Sequence, residues 1–318
     1  MKILFFLLAI LLPSISCAKP FFPNHASCTD GQEKSENCEI VLNENGFLVE
    51  ASTGSKFSEV SENMGAMSSN WLYKYGEKYI LEHLDFSSSK SRSWVVFSYV
   101  GKKISFDRVY SFSQVISPAS IPVWYGYECR VGEKSQIMSK DKTFSEAAVS
   151  LLCGDAAQDN LELEKETPDS SVGVDIAIKI PVYKAGKIDG SATYLFFDSN
   201  KPDVFQMACY SNCELKSDGV AIAYIGRVSE KAWFIGDLKR NSCSSKGGYK
   251  YKPSSERIVF EGCVDSAEFN VTEYAADGRK QRALFVGKAY GDGYKGDWIS
   301  KVGDNKKYSF FMFPLTVY

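Results

Sequence analysis

Apolar and polar residues alternate with a period of two along most of the chain after residue 38. The clearest run is 172–180: Val174, Ile176, Ile178 and Ile180 fall on one parity, and Asp175, Ala177 and Lys179 on the other. Alternation of β-branched residues predicts a half-buried strand, not a helix. Burying its apolar side would contribute on the order of 6–12 kcal/mol before entropy is subtracted. Pro181 has no N–H, so regular pairing is expected to end there. Segments 40–42 and 47–49 flank Asn43-Glu44-Asn45-Gly46, and 94–100 and 104–112 flank Gly101-Lys102-Lys103, which predicts two hairpins. Short apolar runs at 191–197, 204–210, 220–225 and 233–238 predict further strands. The end of the chain reads as a meander of strands at 257–264, 268–274, 282–288, 294–299 and 307–315, separated by turn residues. That spacing suits a sandwich or a barrel.

Helical signals are sparse. Thr143 and Glu146 form a capping-box pattern, Ala147, Ala148, Val149, Leu151 and Leu152 follow, and Gly154 supplies a stop. A second short helix is expected within 61–75. The predicted fold class is therefore mainly β: antiparallel sandwich- or barrel-type sheets with one or two short helices, stapled by disulfides. Polar loops at 164–173 and 215–219 are candidate boundaries. The latter divides the chain into residues 1–18, a β-rich unit at 19–215 and a barrel-like meander at 216–318, leaving cysteines in each unit to close their own bonds.

The first eighteen residues change the picture most. Lys2, the unbroken apolar run 3–12, Pro13 and the small residues Ser16-Cys17-Ala18 have the layout of a secretory signal peptide cleaved after Ala18. Cys17 could instead carry a lipid anchor, as in an outer-membrane lipoprotein, although Ser14 stands where a lipobox has an aliphatic residue. Cysteines 28, 38, 129, 153, 209, 213, 243 and 263 would remain, an even set that reads as disulfides in an exported chain. Sequential pairing (Cys28–Cys38, Cys129–Cys153, Cys209–Cys213, Cys243–Cys263) is the simplest of the 105 connectivities. The expected location is secreted or periplasmic. A net charge of −2 without a basic block gives nucleic acid no footprint. No later segment approaches the ~18 apolar residues of a membrane helix, so no transmembrane span is expected.

Reaction motifs are scarce. There is no GxSxG elbow, and the chain has two histidines, His25 and His83. On a strand at 79–86, His83 and Asp85 would share one face with Glu82 opposite, an arrangement able to orient an imidazole. Gly291-Asp292-Gly293-Tyr294-Lys295-Gly296 matches GxGxxG, but a strand follows it, so it reads as a hairpin turn. Cys209 and Cys213 are spaced too widely for a thioredoxin-like pair, and no zinc or other metal site is expected. Glu162, Glu164 and Glu166 read as the wet side of an edge strand. Asp198, Asn200 and Asp203 lack the glycine and distal glutamate of a calcium loop. Asn270-Val271-Thr272 is a glycosylation sequon. The densest aromatic patch is Trp124, Tyr125 and Tyr127, which with His83 and Asp85 forms the candidate binding set. No cofactor is expected.

One further signal lies in 248–315. Tyr249-Lys250-Tyr251, Ile258-Val259-Phe260-Glu261-Gly262, Val271-Thr272-Glu273-Tyr274, Phe285-Val286-Gly287 and Tyr294-Lys295-Gly296-Asp297-Trp298 resemble a module common in exported bacterial proteins. The resemblance implies a lipocalin- or avidin-like antiparallel meander and carries over no catalytic or binding residues. Cys263 departs from that pattern and suggests a bond to Cys243. These features together point to an exported, non-enzymatic binding protein of the bacterial envelope with a protein or glycan partner. The alternatives are a secreted hydrolase using two converging carboxylates on carbohydrate, and an inhibitor of a lytic enzyme.

Overall fold

The computed structural model describes residues 26–30, 37–60, 68–85, 90–115, 123–132, 143–154, 176–196, 205, 207–214, 219–230, 232–251, 254, 256–275, 278, 280–303 and 305–316. The expected signal peptide, Cys17, His25, the Glu162–Glu166 run and the Asp198–Asp203 run lie outside these residues. The fold is mainly β, with antiparallel sheets, an eight-stranded barrel and one short helix among the described residues.

The strands of the N-terminal half are β1 (Ala26–Ser27), β2 (Ile40–Leu42), β3 (Phe47–Glu50), β4 (Lys56–Glu59), β5 (Ser68–Tyr75), β6 (Lys78–Asp85), β7 (Lys90–Val100), β8 (Lys103–Val115), β9 (Val123–Arg130), β10 (Ile176–Lys184), β11 (Lys187–Phe196) and β12 (Ala208–Ser211). Nine of them form one sheet in the order β1-β5-β6-β7-β8-β9-β10-β11-β12, and β2-β3-β4 form a small second sheet. All neighbours in the large sheet are antiparallel except β9 and β10, which pair in parallel at Val182↔Glu128. A parallel pair needs a crossover, and that connection contains α1 (Phe144–Cys153).

Alternation along these strands gives the sheet two apolar faces. Leu72, Tyr79, Leu81, Val95, Phe97 and Val109 pack under Phe144, Ala148 and Leu152 of α1 and under Ile40, Leu42 and Leu48 of the small sheet. Ile80, Trp94, Val96, Tyr110, Phe112, Ile178, Ile180, Tyr194 and Phe196 form the opposite core. Tyr73 on β5 meets Phe205, just before β12, with ring centroids 5.3 Å apart, so opposite sides of the sheet close over that core.

The capping box is present: the Glu146 N–H donates to Thr143 Oγ1, and the Thr143 N–H donates to Glu146 Oε2. Gly154 ends the helix at φ +62°. Cys153 is bonded to Cys129 on β9, fixing the helix to the sheet. The other bonds are Cys28–Cys38, Cys209–Cys213 and Cys243–Cys263, the sequential pairing.

Two expectations are corrected. Over the described part of 61–75 the chain is strand β5, not helix, because pairing with β1 and β6 and a buried Leu72 outweigh a weak helical pattern. Pro181 does not end the strand: β10 continues to Lys184, with Pro181 opposite Ser191. Pairing to β9 begins only at Val182, so the edge beside Pro181 has no β9 ladder for a missing N–H to interrupt.

The barrel consists of β13 (Ala221–Val228), β14 (Ala232–Lys239), β15 (Ser242–Tyr251), β16 (Ile258–Val264), β17 (Glu268–Tyr274), β18 (Gln281–Tyr290), β19 (Gly293–Ser300) and β20 (Lys307–Pro314), closed by β13 pairing with β20. Eight strands leave an interior that side chains can fill, and here Phe234, Leu238, Tyr249, Phe260, Phe269, Phe285, Phe310 and Met312 fill it. Gly226 makes room for this packing: a Cβ there would lie 2.3 Å from the Phe234 ring.

The barrel's outer wall (Ile225, Phe311, Phe313) packs against Ala177, Leu195 and Ala208 of the large sheet. Ala177, on the polar parity of its run, is thus buried by the barrel. The GxGxxG segment is the β18–β19 hairpin. Its Gly291, at φ +59°, presses against Tyr210, whose carbonyl would lie 2.2 Å from a Cβ at that position. The Asp292 N–H donates to the Tyr210 carbonyl at 2.6 Å.

Candidate functional site at the barrel mouth

The sequence-derived candidates are separated by strand alternation. Tyr125 and Tyr127 share a face of β9, while the position of Trp124 has the parity of Gly126 and Glu128 on the other side. His83 and Asp85 do share a face of β6, and Glu82 points into the opposite core, where it accepts a bond from Trp94 Nε1 at 3.0 Å. The register places these residues in two adjacent cross-strand rows, Asn70–His83–Ser93–Ser111–Tyr127 and Ser68–Asp85–Ser91–Ser113–Tyr125. His83 Nδ1–H donates to Asn70 Oδ1 at 2.7 Å. Burial lowers the imidazole pKa and Asp85 opposes that shift. Ser93 lies opposite His83 but makes no hydrogen bond with it. In this half-buried polar band the imidazole is bonded to Asn70.

Ionisable groups also cluster elsewhere. Glu128, fully buried, accepts from Arg108 Nη1 at 3.0 Å, from Arg130 Nε at 2.8 Å and Nη2 at 3.0 Å, and from the Tyr194 hydroxyl. Arg130 also donates to the Asn212 carbonyl at 3.0 Å, so this network ties the sheet to the Cys209–Cys213 loop. Cys209, Cys213 and Asp292 cluster closely enough to suggest metal ligands. The two sulfurs are bonded to each other, however, and a disulfide offers no thiolate to a metal. Asp292 Oδ2 instead accepts the Cys213 N–H at 3.3 Å.

A cavity of about 620 Å³ opens at the barrel end formed by the β15–β16, β17–β18 and β19–β20 connections. The alternation of β17 turns Glu273 inward to line it: Phe269, Val271 and Glu273 are buried in turn, and Asn270 and Thr272 are not. Glu273 is 2 % exposed. A buried carboxylate is costly unless it is bonded, and Glu273 Oε2 accepts from the Tyr249 hydroxyl at 2.6 Å and from Trp298 Nε1 at 2.8 Å. Tyr249 lies 3.3 Å from the Tyr251 hydroxyl. Since the Tyr249 proton goes to Glu273, Tyr251 is the donor in that pair and keeps an oxygen lone pair for the cavity. Burial raises both phenol pKa values, Tyr251 to about 12, so both are protonated donors at neutral pH.

The rim is charged in balance. Arg282 Nε lies 3.9 Å from Glu273 Oε1, and Arg282 Nη1 lies 3.9 Å from Glu256 Oε1. Lys280, Ser254, Ser300 and Val302 complete the wall. Trp298 packs on Tyr308 with ring centroids 5.8 Å apart, which holds the indole in place.

Sequence reasoning did not single out these residues. The signal was present in the period-two pattern, because a glutamate on the parity of Phe269 and Val271 must enter the barrel interior. Closure of the barrel, which decides what that glutamate meets, is not written in β17 itself. No protein-family model matches the chain, nor does any curated protein or solved structure.

Proposed function

We propose that the chain is an exported, non-enzymatic binding protein of a bacterial envelope, secreted or periplasmic, and that its barrel mouth receives a small ligand. The observation that carries this reading is the buried Glu273 at the floor of a 620 Å³ cavity among aromatic and charged side chains. Ligand pockets combine such a concave, partly apolar wall with a few fixed polar groups, within a range of about 300–1,000 Å³. The four disulfides support an oxidising compartment. Native mass spectrometry of the full chain with a panel of sugars, amino acids, short peptides and fatty acids tests the reading. An adduct retained by the wild type and lost in Ala275→Trp, which fills the cavity, supports it. Adducts retained equally by both proteins refute it.

A second reading, an acid-pair hydrolase acting on carbohydrate, is favoured by one observation. Glu256 and Glu273 line the same cavity and face one guanidinium. This bridging keeps them within about 10 Å of each other, near the separations used in glycoside hydrolysis. Release of reducing sugar that Glu273→Gln abolishes would favour this reading over simple binding.

A further inference from the structure

We infer that the barrel-mouth cavity recognises a neutral pyranose through two adjacent hydroxyls bridging Glu273 and Arg282. The inference rests on the reading of the cavity as a ligand site and names the ligand class.

The argument starts from the hydrogen bonds still available. Glu273 Oε2 is saturated by Tyr249 and Trp298, whereas Oε1 accepts no hydrogen bond from any described residue. Arg282 Nε lies 3.9 Å from Oε1, too long for a hydrogen bond. The Arg282 side chain makes only the two long ion-pair contacts with Glu256 and Glu273 among the described residues. An acceptor facing the cavity and a half-exposed cluster of donors therefore face each other without bonding.

The ligand that satisfies both must donate to Oε1 and accept from the guanidinium at nearly the same place. Adjacent sugar hydroxyls do this: one O–H donates to Glu273, and the neighbouring oxygen accepts from Arg282. The Tyr251 oxygen can accept from a further hydroxyl, and Trp298 offers its ring to the apolar face of the pyranose.

Charge separates this class from its competitors. The lining carries two carboxylates, Glu256 and Glu273, and two cations, Lys280 and Arg282. A ligand with net charge would leave part of this set uncompensated beside the buried Glu273. A fatty acyl chain would leave Glu273 Oε1 unbonded and cut off from water, which is costly.

Isothermal titration of the full chain with the methyl pyranosides of glucose, galactose and mannose tests the inference, with glycine and octanoate as the charged and apolar comparisons. At least one pyranoside is expected to bind. Its affinity should fall about tenfold or more in Glu273→Gln and in Arg282→Met, the loss that follows when a site built for hydroxyls is left unpaired. Arg282→Met on the rim keeps the test usable if Glu273→Gln fails to fold. Should glycine or octanoate bind in an Ala275→Trp-sensitive manner while all three pyranosides do not, the ligand class is wrong and the binding cavity stands. Should no compound bind sensitively to Ala275→Trp, both fail. Pyranoside binding unaffected by Arg282→Met overturns the bridging geometry.

Discussion

Replacing Glu128 by glutamine tests the packing argument at its most loaded point. The carboxylate has no solvent exposure and accepts from two guanidiniums and a phenol. Burial acts against the charge on Arg108, but Tyr110 and Glu128 outweigh it and hold its pKa above the ordinary arginine value. Burial, followed by Tyr110 and Glu128, raises Tyr194 well above the usual phenol range, so its hydroxyl remains a donor. Glutamine keeps the shape of glutamate, but it turns an NH₂ toward these donors, leaves Arg108 without a counter-charge and leaves Arg130 with only the longer contact to Glu214 at 3.8 Å. Removing one partner of a buried ion pair costs about 3–5 kcal/mol. At about 2–4 °C per kcal/mol for a chain this large, Tm should fall by roughly 6–20 °C. Urea unfolding followed by far-ultraviolet circular dichroism, supported by a thermal scan, measures the loss. Because Arg130 donates to both oxygens of Glu128, the cycle of Glu128→Gln with Arg130→Met should show coupling above about 1 kcal/mol. A loss below about 1 kcal/mol, or additive single effects, would refute the reasoning.

Three further outcomes are expected. Removing the Cys129–Cys153 bond by double alanine substitution should cost about 2–5 kcal/mol, and a reductant should lower Tm where EDTA does not, as calorimetry would show. Thr143→Ala should cost about 1 kcal/mol in urea unfolding through loss of the cap. Burial raises the Asp292 pKa, only partly offset by backbone N–H groups of Cys213 and Asn212, so the folded state favours its protonated form. Its stabilising contribution is therefore complete below the ordinary aspartate value of 3.8 and fades as pH rises through the raised value. Asp292→Asn should flatten the stability–pH curve in that window, and an unchanged slope would count against this assignment.

Local signals were legible wherever they depend on nearest neighbours. The capping box at Thr143 and Glu146, the hairpin at Asn43–Gly46 and the strands of the meander follow from spacing and turn chemistry. Features set by distant contacts were not. β5 lies where a helix was expected because β1 and β6 flank it, and Pro181 sits inside β10 because β9 pairs only beyond it. Ala177 has the polar parity of its strand yet is buried, because the barrel packs there. The barrel-mouth site belongs to the same class. Glu273 could be placed on an inward parity, but its partners Tyr249, Trp298 and Arg282 come from three other strands, and only barrel closure brings them together. The aromatic patch at 124–127 looked continuous in sequence, but on β9 Tyr125 and Tyr127 share a parity that position 124 does not have.

The claim that the barrel mouth is the binding site is tested most directly by ¹⁹F NMR of the chain labelled with 5-fluorotryptophan. Its five tryptophans give separate lines, and Trp298→Phe identifies the one at the cavity. Adding a neutral pyranoside should move that line in a saturable manner and leave the buried Trp94 line in place. A ligand that shifts other lines while the Trp298 line stays fixed would put the binding site elsewhere on the molecule.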